Sequence, residues 1–96
     1  MLKRSAVLAA LRQLKPILVK EYGVTRLGIF GSVARGEATE SSDVDVVVEM
    51  SPDLFRMVHL KSYLQESLQI PVDLVRYRPD MNNFLKQRIE QEAMYV

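Results

Sequence analysis

The sequence predicts a small α/β (α+β) domain, with a mixed sheet of three to four strands covered by helices. Three observations point there. Apolar residues recur at steps of three and four near the N-terminus, in the middle and near the C-terminus, as amphipathic helices require. Between these stretches lie short β-branched runs, the densest holding valines at 44, 46, 47 and 48. Gly23, Gly36, Pro52 and Pro79 fall between the periodic segments, where chain reversals belong.

Taken in order, Val7, Leu11, Leu14, Leu18 and Tyr22 form the first helical stripe. Pro16 interrupts it, because proline lacks the N–H and crowds the preceding turn. Two short helices, or one kinked helix broken near Leu14–Lys15, are expected, with Gly23 as the stop. Residues 25–30 read as a strand running into Gly31–Ser32, and Val33 to Arg35 as a helical turn closed by Gly36. The polar stretch 37–42 reads as a loop and Asp43 to Val48 as a strong strand. Ser51–Pro52 resembles a helix start, a capping serine before a first-turn proline. Leu54, Phe55, Met57, Val58, Leu60, Leu64 and Leu68 predict a broad buried face on that helix. Val72 to Tyr77 reads as a third strand. After a turn at Arg78–Pro79–Asp80, residues 82–92 form a last helix buried through Phe84, Leu85, Ile89 and Ala93. Met94–Tyr95–Val96 is a short strand or a docked tail.

Composition bounds the function. A chain of 96 residues is expected to fold as a single domain spanning 1–96, with one compact core. With 48% hydrophobic and 26% charged residues it is ordinary globular protein, not a disordered or coiled-coil chain. The absence of cysteine excludes disulfide scaffolds, thiolate metal sites and cysteine catalysis. A net charge of +1 argues against a dedicated nucleic-acid binder. No apolar run spans a bilayer. The opening Met1–Leu2–Lys3–Arg4–Ser5 leads into a stretch broken by Arg12, Lys15 and Pro16, unlike a signal peptide. A cytoplasmic protein with no membrane association is expected.

Three features carry chemistry. Gly31–Ser32 ends a strand; glycine permits close approach of a phosphate, and the hydroxyl and nearby N–H groups are donors for it. By itself the pair is also a common turn dipeptide. Asp43 and Asp45 sit at i and i+2 of a strand, so both face one way, roughly 7 Å apart. Like charges there repel, and a hard divalent cation such as Mg²⁺ relieves the repulsion; the alternative is a solvated edge. Asp73, between Val72 and Leu74, is costly to bury unless paired or bound to metal; the alternative is an edge-strand residue facing water. If its strand lies beside 43–48, all three carboxylates share one face and suit a two-metal site.

Gly31–Ser32, ten intervening residues (33–42) and Asp43–Val44–Asp45 together resemble the G-S-x10-D-x-D motif of the polymerase β-like nucleotidyltransferases. The run Phe30 to Ala38, with Ser41 to Val48, is similar to the minimal nucleotidyltransferase (MNT) branch, which includes the MntA-type antitoxins encoded beside HEPN toxins. Val72–Asp73–Leu74–Val75 matches the place of the third carboxylate. The resemblance covers the chain from about Leu14 onward and implies a palm fold of that superfamily. It implies that Asp43, Asp45 and Asp73 ligate two Mg²⁺ ions, with Asp73 also helping to activate the acceptor. It implies that Gly31 and Ser32 hold the triphosphate of ATP. Arg35, in the family's A-R-G run, is assigned to phosphate or partner contact; a surface ion pair with Glu37 or Glu40 is its other reading. The implied reaction moves AMP from ATP to a tyrosine hydroxyl of a HEPN RNase toxin. This silences the toxin in a type VII-like toxin–antitoxin pair.

Two alternatives remain beside that reading: an antitoxin acting by contact alone, and a nucleotidyltransferase acting on a small molecule or an RNA end. The near-neutral charge and the few residues left for an acceptor pocket disfavour the last and favour an acceptor supplied by another protein. The sole histidine, His59, reads as a helix-surface or half-buried residue rather than a catalytic base. Arg76, Arg78, Lys86 and Arg88 form a modest basic cluster that could bind phosphate or an acidic partner, but reads first as a solvated face.

Overall fold

The computed structural model describes residues 3–96. Met1 and Leu2, which open the stretch read as unlike a signal peptide, lie outside the described residues. The elements in order are α1 (Arg4–Tyr22), β1 (Arg26–Phe30), α2 (Gly31–Arg35), β2 (Val44–Glu49), α3 (Leu54–Leu68), β3 (Val72–Arg76), α4 (Asn83–Glu92) and β4 (Met94–Tyr95). The four strands form one mixed sheet in the order β3-β2-β1-β4. β2 runs antiparallel to β1 and parallel to β3, with α3 as the crossover, and β4 runs antiparallel to β1. Among the described residues no helix is long and apolar enough to cross a membrane.

Of the two expectations for Pro16, the split into two short helices does not occur: α1 is one helix from Arg4 to Tyr22. The carbonyl that Pro16 cannot serve belongs to Arg12, and both residues are exposed, so water can satisfy it. Val7, Leu8 and Leu11 before the proline and Leu18 and Tyr22 after it are buried. That burial outweighs a penalty of ~3 kcal/mol for proline within a helix. Gly23 ends the helix in the left-handed region at φ 69°, as expected.

Two other expectations fail in α3. Its cap is Asp53, not Ser51: the Asp53 carboxylate accepts the Arg56 N–H at 3.0 Å. Its apolar face is also narrower than expected. Leu60 and Leu64 are fully buried, and Met57 and Leu68 are half-buried. Leu54, Phe55 and Val58 are 76%, 87% and 60% exposed. At about 100° per residue these three lie roughly 100–160° round the helix from the Leu60–Leu64 line. A helix on a flat sheet buries one stripe only, and the sequence offered two overlapping ones. In α4, Ile89 is buried and Leu85 half-buried, but Phe84 in the first turn is exposed, contrary to expectation.

The chain end is a docked strand. Tyr95 pairs with Gly28 of β1, and the Val96 N–H bonds the Leu27 carbonyl at 2.9 Å. A Cβ at Gly28 would stand 2.6 Å from the Met94 carbonyl oxygen, which is why glycine occupies the middle of a strand. Lys15 also reaches the Val96 carbonyl oxygen, at 2.7 Å.

The sheet separates two apolar clusters. One face carries Leu27, Ile29, Val44, Val46, Val48 and Val72, packed with α1, α3 and the Val33–Ala34 part of α2. The other holds Phe30 and Val47 under Met81 and Ile89, flanked by Val75, Tyr77 and Tyr95.

Candidate active site

The site lies at the end of the sheet where β1 finishes and β2 and β3 begin, on the face opposite the larger core. Strand alternation places it there. Because Val44, Val46 and Val48 point into the core, Asp45 must point the other way. The same rule holds on β3, where Val72 and Leu74 face the larger core and Asp73 does not. The parallel register sets Asp45 directly opposite Asp73. Phe30, last residue of β1, is the other cross-strand partner of Asp45, so Gly31 turns away beside the carboxylate.

The turn is tight. Gly31 has φ 75°, in the left-handed region that disfavours side chains. A Cβ at Gly31 would also collide with the Asp45 carboxylate. Both reasons are local, and both require glycine. Gly36 closes the five-residue α2 at φ 74°, with the Glu37 N–H on the Ser32 carbonyl at 2.8 Å. Ser32 is half-buried at the head of this turn. Thr39 and Ser42 then order the approach to β2, the Thr39 N–H bonding Ser42 Oγ at 2.8 Å.

The electrostatics are those of an acidic pair short of countercharge. Asp45 is held above the usual carboxylate range, chiefly by burial and next by the charge of Asp73. The Arg88 guanidinium pulls the other way, and Asp43 adds to the rise. Asp43 lies one residue before β2 and is exposed, so it belongs to the site's rim. Asp73 is exposed on β3. The structure therefore brings Asp45, Asp73 and Gly31 together, with Ser32 next in the chain and Asp43 at the entrance.

The donor set suits a hard cation: carboxylate oxygens, one of them reluctant to ionise until neutralised. Among the described residues no three carboxylate or imidazole groups close into a ready-made metal cage. Mg²⁺ seldom uses such a cage, since one or two carboxylates plus substrate phosphates complete its shell.

Arg35 satisfies one of its two readings directly. It pairs with Glu37 at 2.6 Å and with Glu92 at 3.0 Å, so of the two partners foreseen it takes Glu37. Two further residues belong here, of which only Glu92 was not singled out from the sequence. Glu92, the last residue of α4, accepts the Gly31 N–H at 3.0 Å. Arg88, expected on a solvated face, bears on Asp45 and stands 5.8 Å from the Phe30 ring centre. The basic cluster it was grouped with disperses: Arg78 pairs with Asp80, Lys86 bonds the Pro79 carbonyl and Arg76 the Met50 carbonyl. The four-residue spacing of Arg88 and Glu92 is the one signal that could have marked them as a unit. His59 is an exposed α3 residue, 3.3 Å from the Tyr22 hydroxyl and remote from the acids in sequence and contacts.

This fold, with carboxylates in register beside a strand-to-helix glycine turn, is that of a nucleotidyltransferase. The chain belongs to the nucleotidyltransferase-domain family, whose model matches residues 11–96. A Methanocaldococcus jannaschii protein, named provisionally as a protein adenylyltransferase, is 43% identical over 88 residues, covering 90% of each chain. The protein adenylyltransferase MntA of Thermococcus cleftensis is 37% identical over 84 residues, covering 85% of this chain and 84% of its own. Among solved structures, one named provisionally as a minimal nucleotidyltransferase superposes with TM-score 0.79 at 33% identity. It covers 98% of this chain and 96% of that one. A toxin–antitoxin with AMP-PNP matches with TM-score 0.72 at 23% identity, over 86% of this chain and 69% of that one. The MNT antitoxin complex with a tri-AMPylated Shewanella oneidensis HEPN toxin matches with TM-score 0.69 at 19% identity, over 96% and 70%. At these lower identities the likeness is one of fold. The expected family and the expected minimal nucleotidyltransferase architecture are thus both met.

Proposed function

We propose that this chain transfers AMP from ATP to a tyrosine hydroxyl of a HEPN RNase toxin and thereby acts as its antitoxin. The observation that carries the proposal is the in-register pairing of Asp45 with Asp73 beside the Gly31 turn. The names of the relatives support protein adenylylation, and the complexes of like fold support a HEPN partner.

Each residue has a role. Asp43 and Asp45 would hold Mg²⁺, with Asp73 completing a two-ion site. Bound there, Mg²⁺ would offset the charge of the triphosphate and of the departing pyrophosphate. The Ser32 hydroxyl and the turn behind Gly31 receive the phosphates, and Gly31 lets them approach without a side chain in the way. Arg35, 41% exposed on its side chain, adds positive charge to the same rim. Asp73 sits exposed where an incoming hydroxyl would arrive, and it orients that hydroxyl and takes its proton. The acceptor oxygen bonds the α-phosphorus, the bond to the β-phosphate oxygen breaks, and pyrophosphate leaves. The near-neutral surface gives RNA little to bind, so a protein acceptor fits better than a nucleic-acid end.

The experiment is to mix the protein, Mg²⁺ and ATP with the HEPN protein encoded beside it and to weigh the latter. A gain in whole AMP units, lost with Asp43→Asn or Asp45→Asn, is the expected result.

One observation favours a second reading, inhibition by contact alone. Leu54, Phe55 and Val58 expose an apolar row on α3. Beside Arg56 and His59 of the same helix lies a groove of about 410 Å³, also lined by Ile17, Tyr22 and Tyr63. Toxin neutralisation that survives Asp45→Asn with no mass change would establish that reading over the first.

A further inference from the structure

We infer that Glu92 is a positioning residue for nucleotide binding: from the end of α4 it fixes the Gly31 turn and aims Arg35. The inference rests on the site assignment above and extends it to a residue outside the motif.

The geometry is a shared acceptor. A single oxygen, Glu92 Oε1, receives the Gly31 N–H at 3.0 Å and Arg35 Nη1 at 3.0 Å, and Arg88 Nη2 lies 3.8 Å away. Gly31 is buried, so its N–H depends on this carboxylate for a partner. Glu92 is itself mostly covered, with its side chain 20% exposed. The other partner of Arg35, Glu37, is 61% exposed and pulls toward water. Removing Glu92 would therefore leave a buried donor unpaired and release Arg35 to the solvent side.

The consequence reaches the acids. Gly31 is wedged between Glu92 on its N–H and the Asp45 carboxylate against its α-carbon. Rotation of the turn about φ would shift both the backbone that receives phosphate and the spacing to Asp45. Glu92 holds that rotation at one value.

A rival account makes Glu92 a stand-in for phosphate that must leave before ATP binds. The attachment of α4 disfavours it, since Met94–Tyr95 pins the helix end onto β1 just after Glu92.

The test measures affinity for Mg·AMP-PNP by calorimetry, with melting temperature measured in parallel, for Glu92→Ala, Glu92→Asp and Glu92→Gln. Gln keeps an acceptor at the same reach; Asp keeps the charge but is one methylene short. The expected result is roughly tenfold weaker binding for Ala and Asp and near wild-type binding for Gln. If the Ala variant does not fold, the contrast of Asp with Gln makes the same test. Tighter binding in Ala or Asp would make Glu92 a competitor and overturn the inference. A lowered melting temperature with unchanged affinity would make it merely structural and also overturn it. Wild-type protein that binds no Mg·AMP-PNP would instead bring down the site assignment itself.

Discussion

β2 presents two different surfaces from adjacent residues. Toward α1 and α3 it offers Val44, Val46 and Val48, all fully buried. Toward α4 it offers Asp45, partly buried, and Val47, fully buried under Ile89 and Met81. The first face is closed by two long helices; the second is roofed by one short helix that leaves the β2–β3 end open. A strand can therefore complete a core on one side and spend the other on chemistry. The division also explains why Asp45 is tolerated on a central strand of a small sheet, while Asp73 lies exposed on the edge strand β3. No core contact depends on Asp45, so its carboxylate can be placed for function at a cost in stability.

The largest expected effect breaks the chemical face alone. Asp45→Asn is expected to lower AMP transfer by ~10³-fold or more, as loss of a metal-holding carboxylate at a phosphoryl-transfer site does. Without Mg²⁺ the same variant should melt at or above the wild-type temperature. The sign follows from the raised affinity of Asp45 for its proton in the folded chain. Below the ordinary carboxylate range the group is protonated whether folded or not, and costs nothing. As pH rises through that range toward the higher folded value, the unfolded chain sheds this proton while the folded one still holds it, and stability falls. Metal-free wild type should thus lose stability over that interval more than Asp45→Asn does, as thermal melts across pH would show. A large destabilisation of Asp45→Asn would mean the residue is structural and would erase the distinction between the faces.

The closed face should respond in the opposite sense. Leu64→Ala, at a fully buried site on α3, is expected to cost ~2–5 kcal/mol in denaturant unfolding. Transfer activity per folded molecule should hold, because Leu64 touches the site only through the core beneath it.

Gly28→Ala has a smaller effect than either. The added Cβ meets the Met94 carbonyl oxygen and the Tyr95 ring, so β4 must shift, at about 1–3 kcal/mol. Because β4 follows Glu92 directly, nucleotide affinity should drop along with stability, unlike in Leu64→Ala.

The difference between the faces also explains what the sequence could show. Period-two alternation in 43–48 fixed which side of β2 each residue takes, and the spacing from Gly31 to Asp45 carried the site. Whether β3 lay beside β2 was a conditional in the sequence, and the Asp45–Asp73 register resolves it. The role of Glu92 was illegible because Arg35 and Gly31, which it holds, are 57 and 61 residues away, and its local spacing to Arg88 says nothing of them. Pro16 left a split or a single helix open, and the apolar stripe on both sides of it decides for the single helix. Leu54, Phe55, Val58 and Phe84 did mislead. Hydrophobicity marks them for burial, but it does not say against which molecule.

That last point yields the smallest expected effect on the isolated protein. Phe55→Ser, at a side chain 87% exposed, should change stability by no more than about 0.5 kcal/mol. Catalysis should be untouched with respect to nucleotide binding, since Phe55 lies on α3, away from the Gly31 turn and the acids. Should α3 be the face that meets the partner, an aromatic anchor of this kind dominates the contact, and its loss weakens association by ~10-fold or more. Calorimetric titration of the variant with the HEPN protein measures this. Unchanged affinity would move the interface elsewhere and leave the exposed row without a role. Weakened affinity with unchanged stability would show that this protein has a third surface, set apart from both faces of the sheet, whose apolar residues await another chain.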